Sequence, residues 1–259
     1  MKQRLDTALV DRALAPSREK AQALILAGRV RVDGVPAAKA GQAVTAAVRI
    51  EVIGKDHPYV SRGGVKLAAA LQAFGLDVSG WTALDIGAST GGFTHCLLLA
   101  GAAHVFAVDV GYGQLAWEVR NDARVTVLER TDIRRLDPSA LGKAVDLVVV
   151  DVSFISLVTV LQHAVRYLKP GGLLIALVKP NFEAGRKHVR RGGRVTDPAV
   201  HADVLQRVVE AGRELGLELV GQMPSPIEGK KSGNREFLAL WRGAAGAGAG
   251  TAAARTAPV

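Results

Sequence analysis

The stretch LDIGASTGGFTHCLLLAGAAHVFAVDVG, Leu84 to Gly111, sets a glycine cluster between two apolar runs and puts an aspartate near the end of each. TALDIG and HVFAVDV have the length and aliphatic content of buried strands, and the residues from Phe93 onward read as a helix between them. Strand, glycine turn, helix and strand make the βαβ unit of a parallel sheet, whose ligand pockets lie at the carboxyl ends of the strands. Gly87, Gly91 and Gly92, with Ala88 and Ser89 between them, therefore predict a place where a ligand approaches the backbone closely.

The order D-x-G-x-x-x-G-G-F departs from G-x-G-x-x-G, the spacing that brings a pyrophosphate to a helix amino terminus, and argues against a dinucleotide. Asp109, beside Val110 at the end of the second run, is placed to accept from both hydroxyls of a ribose. Asp85 puts a carboxylate where phosphates are repelled and cations attracted. S-adenosylmethionine carries a sulfonium, an amino group and a ribose, so the expected cofactor is this methyl donor. Thr131 and Asp132, after the next apolar run, predict the adenine end of the pocket. Phe154 is expected over the cofactor or target nucleoside, with a core aromatic as the rival reading.

Outward from this unit, VTVLER, VDLVVVDV, LLIALVKP, LELVGQM and EFLALWR alternate with amphipathic helical patterns. The prediction is an α/β fold: a Rossmann-like S-adenosylmethionine-dependent methyltransferase domain over 63–242, built on a parallel sheet. Residues 1–55 predict a small α+β RNA-binding domain. Its two short helices carry Leu5, Leu9, Ala21, Leu24 and Ile25 at helical spacing, and the strands RVRVDG and VRIEVIG follow. Ser17 is expected to cap the second helix by accepting from Glu19 or Lys20, and Gly28 to end it. Residues 56–62 read as a linker, and the low-complexity stretch 243–259 as a disordered tail.

The 259 residues are 49% hydrophobic, which supports a real core. No apolar run is long enough to span a bilayer, and MKQRLDTALVDR lacks the apolar region of a signal peptide, so a cytoplasmic protein without membrane attachment is expected. The single cysteine, Cys96, excludes an internal disulfide and suggests no metal site. A net charge of +9 points to an anionic partner, most economically nucleic acid. Arg4, Arg18, Lys20, Arg29 and Arg31 cluster in the first domain, and Arg62 lies in the linker. A second basic stretch, GRKHVRRGGRVTD, offers Lys187, Arg190 and Arg191. Its rival reading is a solvated basic loop, because no aromatic is interleaved for base stacking.

SRGGVKL, LDIGASTGGFT, DVGYGQLAW, NDARVTVLERTD, VDLVVVDVSFISL, LVKPNFEAG and SGNREFL resemble, in order and spacing, the TlyA family of rRNA 2'-O-methyltransferases, once called hemolysin A. The catalytic part is similar to the FtsJ class, and RLDTALVDRALAPSREKAQALILAGRVRVDG resembles the RNA-binding module first seen in ribosomal protein S-four. The resemblance implies methyl transfer to the ribose 2'-hydroxyl of rRNA cytidines, with ribosomal RNA or ribosomal subunits as partners and a monomeric enzyme. It also implies a Lys-Asp-Lys-Glu tetrad at Lys66, Asp151, Lys179 and Glu236, with Lys179 nearest the hydroxyl as a neutral general base or as a donor that fixes an oxygen lone pair. Taken singly, Lys66 reads as a solvated helix-start lysine, Lys179 as a strand-exit surface lysine and Glu236 as an exposed strand residue. Asp151, ending an intensely apolar strand, demands a partner in any reading. One departure stands out: KDHPYVSRG carries Tyr59 where family members often have an Arg-x-Trp linker. Two other function classes compete, a non-catalytic RNA-binding assembly factor and a membrane-active hemolysin.

Overall fold

The computed structural model describes residues 2–54, 57–229 and 233–245, and the chain divides into two units between Pro58 and Tyr59. In the first unit the elements are β1 (Lys2–Arg4), α1 (Leu5–Asp11), α2 (Arg18–Leu26), β2 (Val30–Val32), β3 (Val35–Pro36), β4 (Ala43–Thr45) and β5 (Ile50–Val52). Leu5, Leu9, Ala21, Leu24 and Ile25, the helical-period positions, pack with Val30, Val44 and Ile50 into one core. The α2 cap forms from Ser17, whose side chain accepts from the Lys20 amide at 3.2 Å. The helix closes just short of Gly28, which takes the left-handed conformation that glycine alone adopts freely, φ +71°.

The second unit contains α3 (Gly63–Ala73), β6 (Thr82–Ile86), α4 (Gly92–Leu99), β7 (His104–Val108), α5 (Trp117–Arg120), β8 (Val125–Leu128), β9 (Val145–Val150), α6 (Leu157–Ala164), β10 (Leu168–Val178), α7 (Pro180–Glu183), α8 (Pro198–Glu214), β11 (Leu217–Pro224) and β12 (Phe237–Gly243). All of the strands expected here form, in the order β11-β12-β10-β9-β6-β7-β8. Side chains of β9 alternate between two cores: Val148 and Val150 pack with Leu157, Leu161, Val204 and Trp241, whereas Leu147 and Val149 pack with Leu67, Phe93 and Leu97. A strand covered by helices on both faces is apolar throughout, which is why VDLVVV shows no alternation.

Four features depart from expectation. The sheet is mostly parallel, but β12 runs antiparallel to both β10 and β11, a direction that a run of apolar residues does not encode. The VTVLER run ends as a strand at Leu128; Arg130 adopts φ +53°, so Thr131 and Asp132 follow a turn. α4 begins at Gly92, one residue before Phe93. At the carboxyl end β12 continues through Gly243, and residues 246–259 of the expected tail lie outside the described residues.

The topology gathers the site. Asp109 follows β7, Asp151 follows β9 and Lys179 follows β10, all on one sheet edge. Because Phe237 opens the antiparallel β12 opposite Val178, Glu236 arrives at that same edge.

Candidate active site

Lys179 Nζ lies 2.6 Å from Asp151 Oδ1 and donates to the Val152 carbonyl at 2.9 Å and the Ser153 hydroxyl at 3.0 Å. Three acceptors use the three donors of an ammonium. Lys66, on the first turn of α3, pairs with Glu236, and both are buried at 8% and 6% exposure. The solvated readings of these two residues are thereby excluded, since a charge removed from water requires its partner. The four residues thus form two ion pairs, Lys179–Asp151 at the ends of β10 and β9 and Lys66–Glu236 between α3 and the start of β12.

Asp85 is fully buried on β6. Its Oδ2 accepts from the Thr94 amide at 2.9 Å and hydroxyl at 2.6 Å, while Oδ1 has no protein partner. Burial pushes this carboxyl up to about 7, against the Thr94 bonds and with the nearby Asp151 and Asp109 charges adding to the rise. Asp109 is oriented by the Ser89 amide at 2.8 Å on Oδ2 and the Gly111 amide at 2.6 Å on Oδ1. Each carboxylate oxygen retains a second lone pair for a hydroxyl donor.

Packing adds a second reason for the glycines of the turn, beside the ligand approach expected. A Cβ on Gly87, at φ +86°, would lie 2.6 Å from the Asp151 carbonyl oxygen. One on Gly91 would meet Leu115 at 2.9 Å, and one on Gly92 would collide with Ser61. Neighbouring loop segments crowd the turn and exclude side chains there. Ala88 and Phe93 are buried against the same core, and Ser89 takes φ +47°.

The remaining expected positions separate. Asp132 is engaged by Arg134 through Nε at 3.0 Å and a terminal nitrogen at 2.6 Å, which holds its carboxyl at about 2. Val110 and Phe154 are exposed, Phe154 at 89%, which overturns the core-aromatic reading. Its ring stands 5.3 Å from Phe182. In the first unit Arg4 and Arg18 both donate to the buried Asp6, whose carboxyl they hold far below the usual range, so they brace the fold as well as facing solvent. Arg29 donates to the Ile53 carbonyl, whereas Lys20 and Arg31 are exposed. Arg62 donates to the Glu228 carbonyl at 3.1 Å. Lys187 lies in a short 3-10 turn, and Arg190 bridges to Arg194. Tyr59 sets its ring edge-on to His95 at 6.4 Å and fills the space over Gly64. Sequence reading missed Ser153, a ligand of the Lys179 ammonium. It also missed Gln114, whose side-chain oxygen accepts from the Ser89 hydroxyl at 3.5 Å.

Comparison with known proteins matches residues 59–242 to the FtsJ-like methyltransferase model and residues 3–50 to the S4 domain. The chain is 51% identical to the 16S/23S rRNA (cytidine-2'-O)-methyltransferase TlyA of Mycobacterium tuberculosis, over 92% of this chain and 88% of that protein. This chain belongs to the TlyA family of FtsJ-like methyltransferases. Another relative, named Hemolysin A, from Brachyspira hyodysenteriae, is 39% identical over 91% of this chain and 98% of its own. A solved Streptococcus thermophilus structure described as a candidate hemolysin superposes with a TM-score of 0.74 at 39% identity, over 94% of this chain and 89% of that one. Among the described residues of this TlyA family member, no helix is long and apolar enough to cross a membrane.

Proposed function

We propose that this TlyA family member transfers a methyl group from S-adenosylmethionine to the 2'-hydroxyl of cytidines in ribosomal RNA, with Lys66, Asp151, Lys179 and Glu236 around the reacting oxygen. The observation that carries the reading is the Lys179–Asp151 pair, 2.6 Å apart at the carboxyl edge of the sheet, with the Asp151 charge felt by the buried Asp85. The substrate follows from the name carried by the M. tuberculosis relative together with the S4 match over residues 3–50.

The residues fit the cofactor. A buried carboxylate oxygen without a partner suits an amino group, and Asp109, held by two amides, suits a ribose diol. When bound, S-adenosylmethionine supplies an electrophilic methyl group on a cationic sulfur. Asp85 anchors the amino end and Asp109 the sugar.

Lys179 aims the nucleophile. A ribose hydroxyl is a poor nucleophile at neutral pH, so its oxygen must be placed in line and its lone pair directed. With three acceptors around Nζ, the donor role is favoured over that of a neutral base, and the hydroxyl takes the place of one present acceptor. The exposed Ser153 hydroxyl is the one of those three that can swing away, whereas Asp151 holds the charge and the Val152 carbonyl is backbone. Lys66 and Glu236, a second pair at the same edge, neutralise one another and keep the local field fixed. Lys187, Arg190 and Arg191, with the basic face of the first unit, bind phosphates.

Tritiated methyl transfer to rRNA from cells lacking the enzyme tests this. Wild type is expected to incorporate label and Lys179→Ala to lose it by at least about a hundredfold. Equal incorporation by the variant refutes the assignment, and cofactor binding without any transfer supports the non-catalytic assembly-factor reading.

A further inference from the structure

Asp151 and Lys179 open separate connections, 151–156 after β9 and 179–183 after β10, and something must keep these segments in step. Helix α6 begins at Leu157, and its cap residue, Ser156, makes no side-chain bond to the helix amides. The Glu183 carboxylate stands in. Its Oε1 accepts from the Leu157 amide at 2.7 Å and its Oε2 from the Ser156 hydroxyl at 2.7 Å. A carboxylate at a helix amino terminus is favoured by the free amides there and by the helix dipole. Glu183 is itself held, because Arg207 on α8 donates to its carbonyl at 3.0 Å.

The loop between these ties is under strain. Phe154 adopts φ +67°, a left-handed conformation that a bulky residue rarely takes, and persists there only if its surroundings fix it. Lys179 binds the loop's entrance at Asp151, Val152 and Ser153, and Glu183 binds its exit at Ser156 and Leu157. Five bonds thus run from one connection, between residues 179 and 183, to the other. With the exit released, Phe154 would be free to relax to negative φ, turning the Val152 carbonyl and Ser153 hydroxyl away from Nζ.

We propose that Glu183 is a positioning residue for methyl transfer: its carboxylate clamps the α6 amino terminus and so holds Asp151 and the Lys179 ammonium in register. The inference rests on the proposed methyltransferase activity, and Glu183 itself touches neither RNA nor cofactor in this role.

The test is single-turnover methylation of rRNA by the full-length protein, with affinities for S-adenosylhomocysteine and RNA measured in parallel and Lys179→Ala as the control. Glu183→Ala is expected to lower the single-turnover rate about tenfold or more while both affinities stay within about twofold. Glu183→Gln, which keeps the acceptor and one bond, recovers part of that rate, and Ser156→Ala, which removes one bond, loses about threefold. Should Glu183→Ala lower folded content, the active fraction is counted by cofactor binding and the Ser156→Ala rate decides. A wild-type rate in both variants, with Lys179→Ala inactive, overturns the clamp and leaves the proposed function standing. A fully active Lys179→Ala overturns the function itself.

Discussion

Protonation of Asp85 is expected to control cofactor affinity. Its side chain is fully buried, Oδ1 has no protein donor, and burial raises its carboxyl to about 7. An amino group binds the ionised form. At pH 6 about one carboxyl in eleven is ionised and at pH 8 about ten in eleven, so the dissociation constant should be about tenfold weaker at pH 6. The assay is calorimetric titration with S-adenosylhomocysteine at both pH values in buffers of different ionisation enthalpy. Binding at pH 6 should release nearly one proton. Asp85→Asn should bind weakly, with neither slope nor release.

Stability of the unliganded protein carries the opposite sign. A carboxyl raised from 3.8 to about 7 favours the folded state fully below its unfolded value, and that contribution is lost as pH rises to about 7. The loss amounts to as much as about 4 kcal/mol. Asp122 and Asp132, held at about 2 by Arg124 and Arg134, lose their contributions only as pH falls below about 4, a separate window. The difference between wild type and Asp85→Asn isolates the buried group. A cofactor affinity independent of pH, or the same slope in the Asn variant, refutes the reasoning.

Other outcomes follow from single contacts. Glu236→Ala leaves the buried Lys66 ammonium without its partner and should cost about 3–5 kcal/mol in urea unfolding. Most of that should return in the Lys66→Met/Glu236→Leu double variant, and a single-variant cost below about 1 kcal/mol contradicts the pair. Gly87→Ala meets the Asp151 carbonyl and should destabilise by about 3 kcal/mol or more. Gly142→Ala, left-handed at φ +68° and ψ -12° with open space around it, should cost only about 1 kcal/mol, and equal melting temperatures for the two contradict the steric argument. Replacing Lys187, Arg190 and Arg191 together with alanine should lower the slope of log affinity against log salt for rRNA by about 2. An unchanged slope makes that stretch a solvated loop.

Hydrophobic patterning made the strands of the second unit legible: the central β6, β9 and the carboxyl half of β10 are buried on both faces and stand out as apolar runs, while the edge strand β11 alternates. Strand direction was not legible, since the residues of EFLALWR are as apolar running one way as the other, and only its pairing with β10 makes β12 antiparallel. Lys66 and Glu236 looked bland alone because burial of a charge depends on a partner 170 positions away. The glycines were visible but the crowding around them was not: Ser61, Leu115 and the Asp151 carbonyl come from loops distant in sequence. Glu183 is invisible for the same reason, as nothing local shows that a short helix after β10 caps the helix after β9. The TlyA resemblance identified the family from ordered motifs where single residues stayed ambiguous.

Nucleoside analysis of rRNA from cells lacking the enzyme, after incubation with this protein and S-adenosylmethionine, bears most directly on the central claim. New 2'-O-methylcytidine is expected, absent when Lys179→Ala replaces wild type. Methyl groups on a base, or none with a protein that binds the cofactor, contradict it.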